Sequence, residues 1–351
     1  MSELVHQTVP LGDQWPTVDP FLFCAHHRDA YPPGNATLGP AASLAGRELG
    51  QDFANVDGWN MYHGRGVPGF PAHPHRGFET VTYVRSGVID HSDSLGARAR
   101  FGRGDTQWLT AGKGIVHCEM FPLLDQDRPN PLELFQIWLN LPARNKMVEP
   151  HFTMLWDHQT PRAERRDDHG RLTTVTVITG AFEEVDSPPT PPDSWASAAD
   201  SDVAIWHLVL EPEAHFVLGP ASGPSTQRVL YLFEGEELAL RGDGDDHGTL
   251  IGGSTGAVLD ASQHATLVAG PSGAEVMVLQ GRPIGEPVAR YGPFVMNTDT
   301  EIQQAFADYR QTQFGGWPWP SDDPDHGPQW RRFAEHPDGR VERIQATKTA
   351  G

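Results

Sequence analysis

Short apolar runs broken by turn residues make up most of the chain, and one segment alone has helical spacing. Thr80, Val81, Thr82, Tyr83 and Val84 form a β-prone run closed by Ser86-Gly87, which reads as a strand entering a hairpin. Residues 132–141, LELFQIWLNL, alternate. Glu133, Phe135, Ile137 and Leu139 face one way and Leu134, Gln136, Trp138 and Asn140 the other, which predicts a half-buried strand closing a first barrel. A second series follows: VTVITG (175–180), IWHLVLEP (205–212), RVLYLFEGE (228–236), GAVLD (256–260), ATLVAG (265–270) and AEVMVLQG (274–281). Short strands separated by turn residues describe a second barrel. Residues 19–24 read as the first strand and 1–18 as a weakly patterned lead, while 33–58, rich in Gly, Ala and Asn, read as a loop near the barrel mouth. The Pro/Ser-rich stretch 186–200 cannot sustain ladder hydrogen bonds and reads as a surface excursion.

Thr298 and Glu301 have the spacing of a capping box, with Ile302, Ala305, Phe306 and Tyr309 following on one helical face and Gly315-Gly316 ending the pattern. One amphipathic helix of roughly four turns is predicted, packed against a barrel. Residues 317–351 carry no chemistry that the pattern reveals.

A chain of 351 residues exceeds one ordinary core and suits two domains, and its 31 Pro and 37 Gly suit a loop-rich, many-stranded protein. The net charge of −20 excludes a general phosphate-backbone binder, so no direct contact with nucleic acid is expected. Two cysteines, Cys24 and Cys118, are too few for a disulfide scaffold. No basic-then-apolar leader and no run approaching the roughly 18 apolar residues of a membrane span is present, so the expectation is a cytoplasmic protein without membrane contact.

The chemistry is concentrated in two short clusters, His-Pro-His at 73–75 and His-Cys-Glu at 117–119. Side chains at i and i+2 of a strand share a face, so His73 with His75, and His117 with Glu119, can each converge on one point. Three imidazoles and a carboxylate favour iron, copper, nickel or zinc over magnesium or calcium. Gly112 and Gly114 permit a tight turn ahead of the second cluster. Cys118 lies between two ligands, and strand alternation turns its sulfur away as a buried structural thiol. Glu79 shares a face with His75 and is expected to steady an imidazole, and Gln136 is a weaker candidate of the same kind. His63 and His91 read as solvated turn histidines. His207 and His215, without companions, leave the second barrel without an equivalent site.

These clusters sit in HPHRGFETVTYV (73–84) and GDTQWLTAGKGIVHCE (104–119), which resemble the two boxes of the cupin superfamily and, more narrowly, the pirin family. DPFLF (19–23) and EPVARYGPFVMNTDTEI (286–302) add to that resemblance, which spans about residues 19–315; residues 33–58 look like an insertion relative to it. The resemblance implies an all-β bicupin, two tandem antiparallel cupin β-barrels with a short C-terminal helix. Its expected parts are a metal-binding barrel at 1–150, a metal-free barrel at 151–315 ending in the helix, and a tail at 316–351. It implies His73, His75, His117 and Glu119 as ligands of one divalent metal, iron(II) first, with copper, nickel, manganese and zinc as alternatives. Four protein ligands leave one or two positions open on a five- or six-coordinate metal. The implied activity is that of a dioxygenase cleaving quercetin or a related flavonol or aromatic enol, with Glu119 both ligand and proton acceptor and carbon monoxide lost. The alternative is an iron-dependent redox-sensing protein that modulates a protein partner such as a transcription factor. A monomer is expected in either case.

Overall fold

A computed structural model of the protein describes residues 3–245 and 247–344. Strands dominate it, and the fold is all-β, with two antiparallel barrel units and one α-helix among the described residues, Asp299–Thr312. None of the described helices is long and apolar enough to cross a membrane. The helix starts as its spacing predicts. The Thr298 hydroxyl accepts from the Glu301 N–H at 3.2 Å and the Glu301 carboxylate accepts from the Thr298 N–H at 2.9 Å, which closes the capping box. Ile302 and Ala305 are buried against Phe294 and Met296.

The first unit comprises His26–Gln136, Ala143–Asp157 and the chain from Glu286 on. One of its sheets runs Val341–Ile344, Arg332–Glu335, Arg98–Gly102, Val88–Asp93, Ile115–Met120 and Gly69–His75 in spatial order. Another places His151–Leu155 beside Thr106–Thr110, which pairs with Phe78–Ser86. The second unit comprises the chain up to Ala25, Ile137–Pro142 and His158–Gly285. Its larger sheet runs Val5–Pro10, Thr255–Leu259, Gln227–Glu234, Ala274–Gly281, Ala204–Leu210, Leu172–Thr179 and Arg162–Arg166. A four-stranded sheet, His215–Leu218, Ala265–Ala269, Glu237–Arg241 and Thr249–Gly252, supplies the rest, and Leu208, Leu230, Leu232, Val276 and Val278 lie in its core.

Four expectations change. The units are interleaved along the chain, not consecutive as 1–150 and 151–315. Residues 1–18 are not a mere lead, because Val5–Pro10 is a strand paired with Thr255–Leu259 of the second unit. A polar sequence such as VHQTVP shows no core periodicity, since only Val5 of that strand is buried. Residues 316–351 likewise include Arg332–Glu335, which extends the first unit's sheet beside Arg98–Gly102. The strand Leu132–Asn140 is buried on both faces apart from Glu133 and Gln136, which are half-buried, so it is more enclosed than its alternation suggests.

Charge anchors that C-terminal segment. Arg100, 1% exposed, donates from Nε and Nη2 to the two oxygens of the fully buried Asp90, both at 2.6 Å, and from Nη1 to the Gln329 carbonyl. Asp90 also accepts from the His326 N–H at 2.8 Å, and the Trp319 indole donates to the Asp93 carbonyl. A buried ion pair broken by removing one partner leaves an uncompensated charge, so Arg100→Ala is expected to cost about 3–5 kcal/mol in urea denaturation. Arg98 and Glu335 form a bidentate pair that is a third or more exposed on each side. Arg98→Ala should therefore cost about 1 kcal/mol or less. Equal losses in the two variants would contradict the anchoring role given to Asp90.

Candidate metal centre

The strand Gly69–His75 pairs antiparallel with Ile115–Met120, Phe70 opposite Glu119 and His73 opposite His117. Two residues lie between Phe70 and His73 but only one between His117 and Glu119, so one extra residue is bulged out at Pro71-Ala72. A bulge suits Pro71, which has no N–H to give to a ladder. It also corrects the phase: Phe70, His73 and His75 face the same side as His117 and Glu119. Gly69 enters this strand at φ 131°, where a Cβ would lie 2.4 Å from the Glu119 carbonyl oxygen, so no larger residue fits there. On the partner strand, Gly114 at φ 138° leaves the space that the Phe314 ring fills.

The result is convergence. His73, His75 and His117 place ring nitrogens within 4.8 Å of one another, with ring centroids 4.4 to 4.9 Å apart. Burial is the first cause holding all three imidazoles below their ordinary range, His73 down to about 4 and the other two well below 6.5; repulsion from the other triad rings adds to it at His75 and His117, and from His63 and His91 at His73. They are therefore neutral at pH 7, the form in which histidine binds metal. His73 sets its Nδ1 2.8 Å from the Pro71 carbonyl within the bulge, and His75 has its Nδ1 3.4 Å from the Pro293 carbonyl. A backbone carbonyl on one ring nitrogen fixes the tautomer and directs the other toward a metal. His117 is fully buried with neither ring nitrogen hydrogen-bonded. An orphaned buried donor and acceptor are costly, and a divalent transition ion within reach of all three rings removes that cost. The donor set fits such an ion.

Glu119 is not in that group of converging atoms. Its carboxylate accepts from the Gln136 amide at 2.6 Å and from the Thr82 hydroxyl at 3.2 Å. Burial raises its pKa, and His91 and these two hydrogen bonds oppose the rise. Gln136 thus holds a carboxylate rather than an imidazole. Glu79, fully buried, accepts from the Thr110 hydroxyl at 2.7 Å. Cys118 is buried among Leu38, Val67 and Met120, and burial pushes its thiol up. A cavity of about 420 Å³ with His63, Arg65, Phe70 and His73 in its wall lies beside the triad.

The chain matches the pirin family model over residues 5–139 and the pirin C-terminal cupin domain over residues 205–315. A pirin-like protein of Caulobacter vibrioides is 39% identical over 247 residues, covering 70% of this chain and 80% of that protein. The chain belongs to the pirin family. A pirin-like protein of Solanum lycopersicum is 35% identical over 283 residues, 76% of this chain and 86% of its own. Among solved structures, a quercetin 2,3-dioxygenase of Acinetobacter baumannii superposes with a TM-score of 0.66 at 25% identity, over 90% of this chain and 96% of that one.

Within this pirin, one neighbour of the triad departs from its reading as a solvated turn residue. His91 is fully buried, stacked on Phe152 at 5.2 Å and 5.5 Å from the His117 ring, with Nε2 3.2 Å from Asp93. In register it stands opposite Glu119, and Asp93 opposite His117. The signal was available as a second i, i+2 polar pair, His91 and Asp93, in VIDHSD, but that strand is buried along its whole length and does not alternate. His63 is exposed, as expected, with Nδ1 2.7 Å from the Gly50 carbonyl. In the second unit, His207 sits 2.9 Å from the Glu275 carboxylate.

His73→Ala and His117→Ala should each lose metal by elemental analysis while keeping the wild-type β circular-dichroism spectrum. Added iron(II) at about 100 times its Kd should stabilise the wild type by about 2.7 kcal/mol. It should leave the thermal midpoint of His117→Ala unmoved. Near-stoichiometric metal retained in both variants would remove the triad from the site.

Proposed function

We propose that this pirin is an iron-dependent dioxygenase that cleaves quercetin or a related flavonol or aromatic enol. The observation that carries the reading is the set of three neutral imidazoles, His75 and His117 buried and His73 half-buried, converging beside a cavity of flavonol scale. The named activity of the Acinetobacter relative agrees with it. In this reading His73, His75 and His117 hold the ion and Glu119 completes the protein shell. Iron bound there supplies Lewis acidity toward the substrate's 3-hydroxyl and redox chemistry with dioxygen.

The protein's own part is binding and proton transfer. Phe70 offers a ring face and Arg65 a guanidinium to a flat phenolic substrate entering along the cavity wall. Glu119 accepts the 3-hydroxyl proton. Its raised pKa brings the carboxylate closer to the basicity that proton acceptance near neutral pH requires. Gln136 and Thr82 hold it in place, so that the proton arrives at an oriented oxygen. Ring cleavage then places both atoms of dioxygen in the product and releases carbon monoxide.

Glu119→Gln, with iron occupancy verified, is expected to slow flavonol-dependent oxygen uptake by about 10²–10⁴-fold, the usual weight of a general base. Wild-type turnover in that variant would move the base elsewhere, with Glu79 next to test. An iron-loaded wild type that consumes no oxygen with any member of a flavonol panel would abandon the enzyme reading in favour of a redox-sensing binding protein.

A further inference from the structure

The second unit carries a cavity of about 510 Å³ at one end of its barrel that the reading above leaves unused. Its floor is polar. Arg228 and Gln280 stand directly opposite each other on the strands Gln227–Glu234 and Ala274–Gly281, on the face that carries the core residues Leu230 and Val278. Trp206, opposite Val278, lies one layer deeper. Arg228 is 1% exposed, Gln280 3% and Trp206 5%.

Hydrogen-bond accounting shows what the cavity lacks. A guanidinium has five N–H donors. Nε and Nη2 of Arg228 both donate to Gln280 Oε1, at 2.8 and 2.5 Å, and Nη1 donates to the Gly219 carbonyl at 2.9 Å. One N–H on each terminal nitrogen is left over, and among the described residues no carboxylate lies in ion-pair contact with this buried cation. Asp202 is the nearest influence, and its oxygens are occupied: Oδ1 accepts from Gln280 Nε2 at 3.1 Å, and Oδ2 from the Gly223 N–H and the Thr226 hydroxyl. At the rim, Glu183 pairs with Arg165 and His264 with Asp243. The Trp206 indole N–H, buried in the wall, has no acceptor. The cavity therefore holds surplus donors and a cation without a contact counter-ion, a combination that burial makes costly until an acceptor arrives.

The remaining walls are mixed, with Asp202 and Ser222 among apolar residues. Phe182 packs edge-on to Trp206 at 5.4 Å, and Val217, Leu218 and Pro220 line the other sides. We propose that this cavity binds a small aromatic carboxylate, its oxygens on the spare donors of Arg228 and on the Trp206 indole, its ring against Phe182 and Trp206. A planar carboxylate matches the guanidinium fork, and it is an acceptor-only group, as a donor-rich floor requires.

Benzoate is the probe, titrated into the full-length protein by calorimetry, with benzamide as the neutral control and acetate as the control without a ring. Saturable one-to-one binding of benzoate is expected, at least about ten-fold tighter than either control, the weight of one charge-assisted hydrogen bond. Arg228→Lys, which keeps charge but loses the fork, should weaken benzoate about ten-fold or more. Trp206→Phe keeps the aromatic wall and should weaken it about three- to ten-fold, and it decides the matter if Arg228→Lys does not fold. His117→Ala should leave the isotherm unchanged, which separates this cavity from the triad. Equal binding of benzamide, no saturation with benzoate, or loss of binding in His117→Ala with full binding in Trp206→Phe would overturn the assignment.

Discussion

The pairing of Gly69–His75 with Ile115–Met120, offset by a single bulged residue, is the constraint on which the rest of the first unit depends. A slip of one residue in an antiparallel ladder turns every side chain to the opposite face. Here the bulge at Pro71-Ala72 keeps Phe70, His73, His75, His117 and Glu119 in one phase, with His73 directly opposite His117. The same bulge presents the Pro71 carbonyl to His73 Nδ1. Ligand direction and tautomer thus come from one backbone irregularity.

Burial then decides the electrostatics. Enclosed imidazoles resist protonation, and crowding three of them adds repulsion between any charges they would carry. The cost of keeping His117 buried without hydrogen bonds is one that a metal ion would offset, so destabilisation of the free site and affinity for such an ion would have the same origin. Support for this strand pair is distant in sequence. The strand Val88–Asp93, which pairs with Ile115–Met120, is clamped by Arg100 against Asp90 and by contacts from Trp319 and His326. Arg76, next to His75, reaches Asp308 on the C-terminal helix at 2.7 Å. The segments that hold the triad still are therefore those with the least chemistry of their own.

Much of this was legible in the chain. The clusters at 73–75 and 117–119 and the turn glycines announced a two-strand metal site, and the strands of the second barrel were read within a residue or two of their observed ends at 204–210, 227–234, 255–259, 265–269 and 274–281. Period-two alternation and turn residues are local signals, and these elements express them strongly. Strands such as Val5–Pro10, His215–Leu218 and Arg332–Glu335 escaped because they are short, polar at most positions or half-exposed, and are held by pairing partners remote in sequence. His91 escaped for the opposite reason: its strand is buried on both faces, so no alternation marks it.

The sequence by itself determined the all-β class, the family, and which residue types could meet a metal, because ligand spacing on a strand is set by backbone geometry alone. Only the tertiary structure decided that three imidazoles meet while Glu119 is held by Gln136 and Thr82, that the two ends of the chain join opposite units, and that Arg228 lies buried with no carboxylate among the described residues in contact. Those outcomes depend on register, burial and pairing between segments up to hundreds of residues apart. Such pairings depend on free-energy differences among whole arrangements of the chain, and no local pattern encodes them.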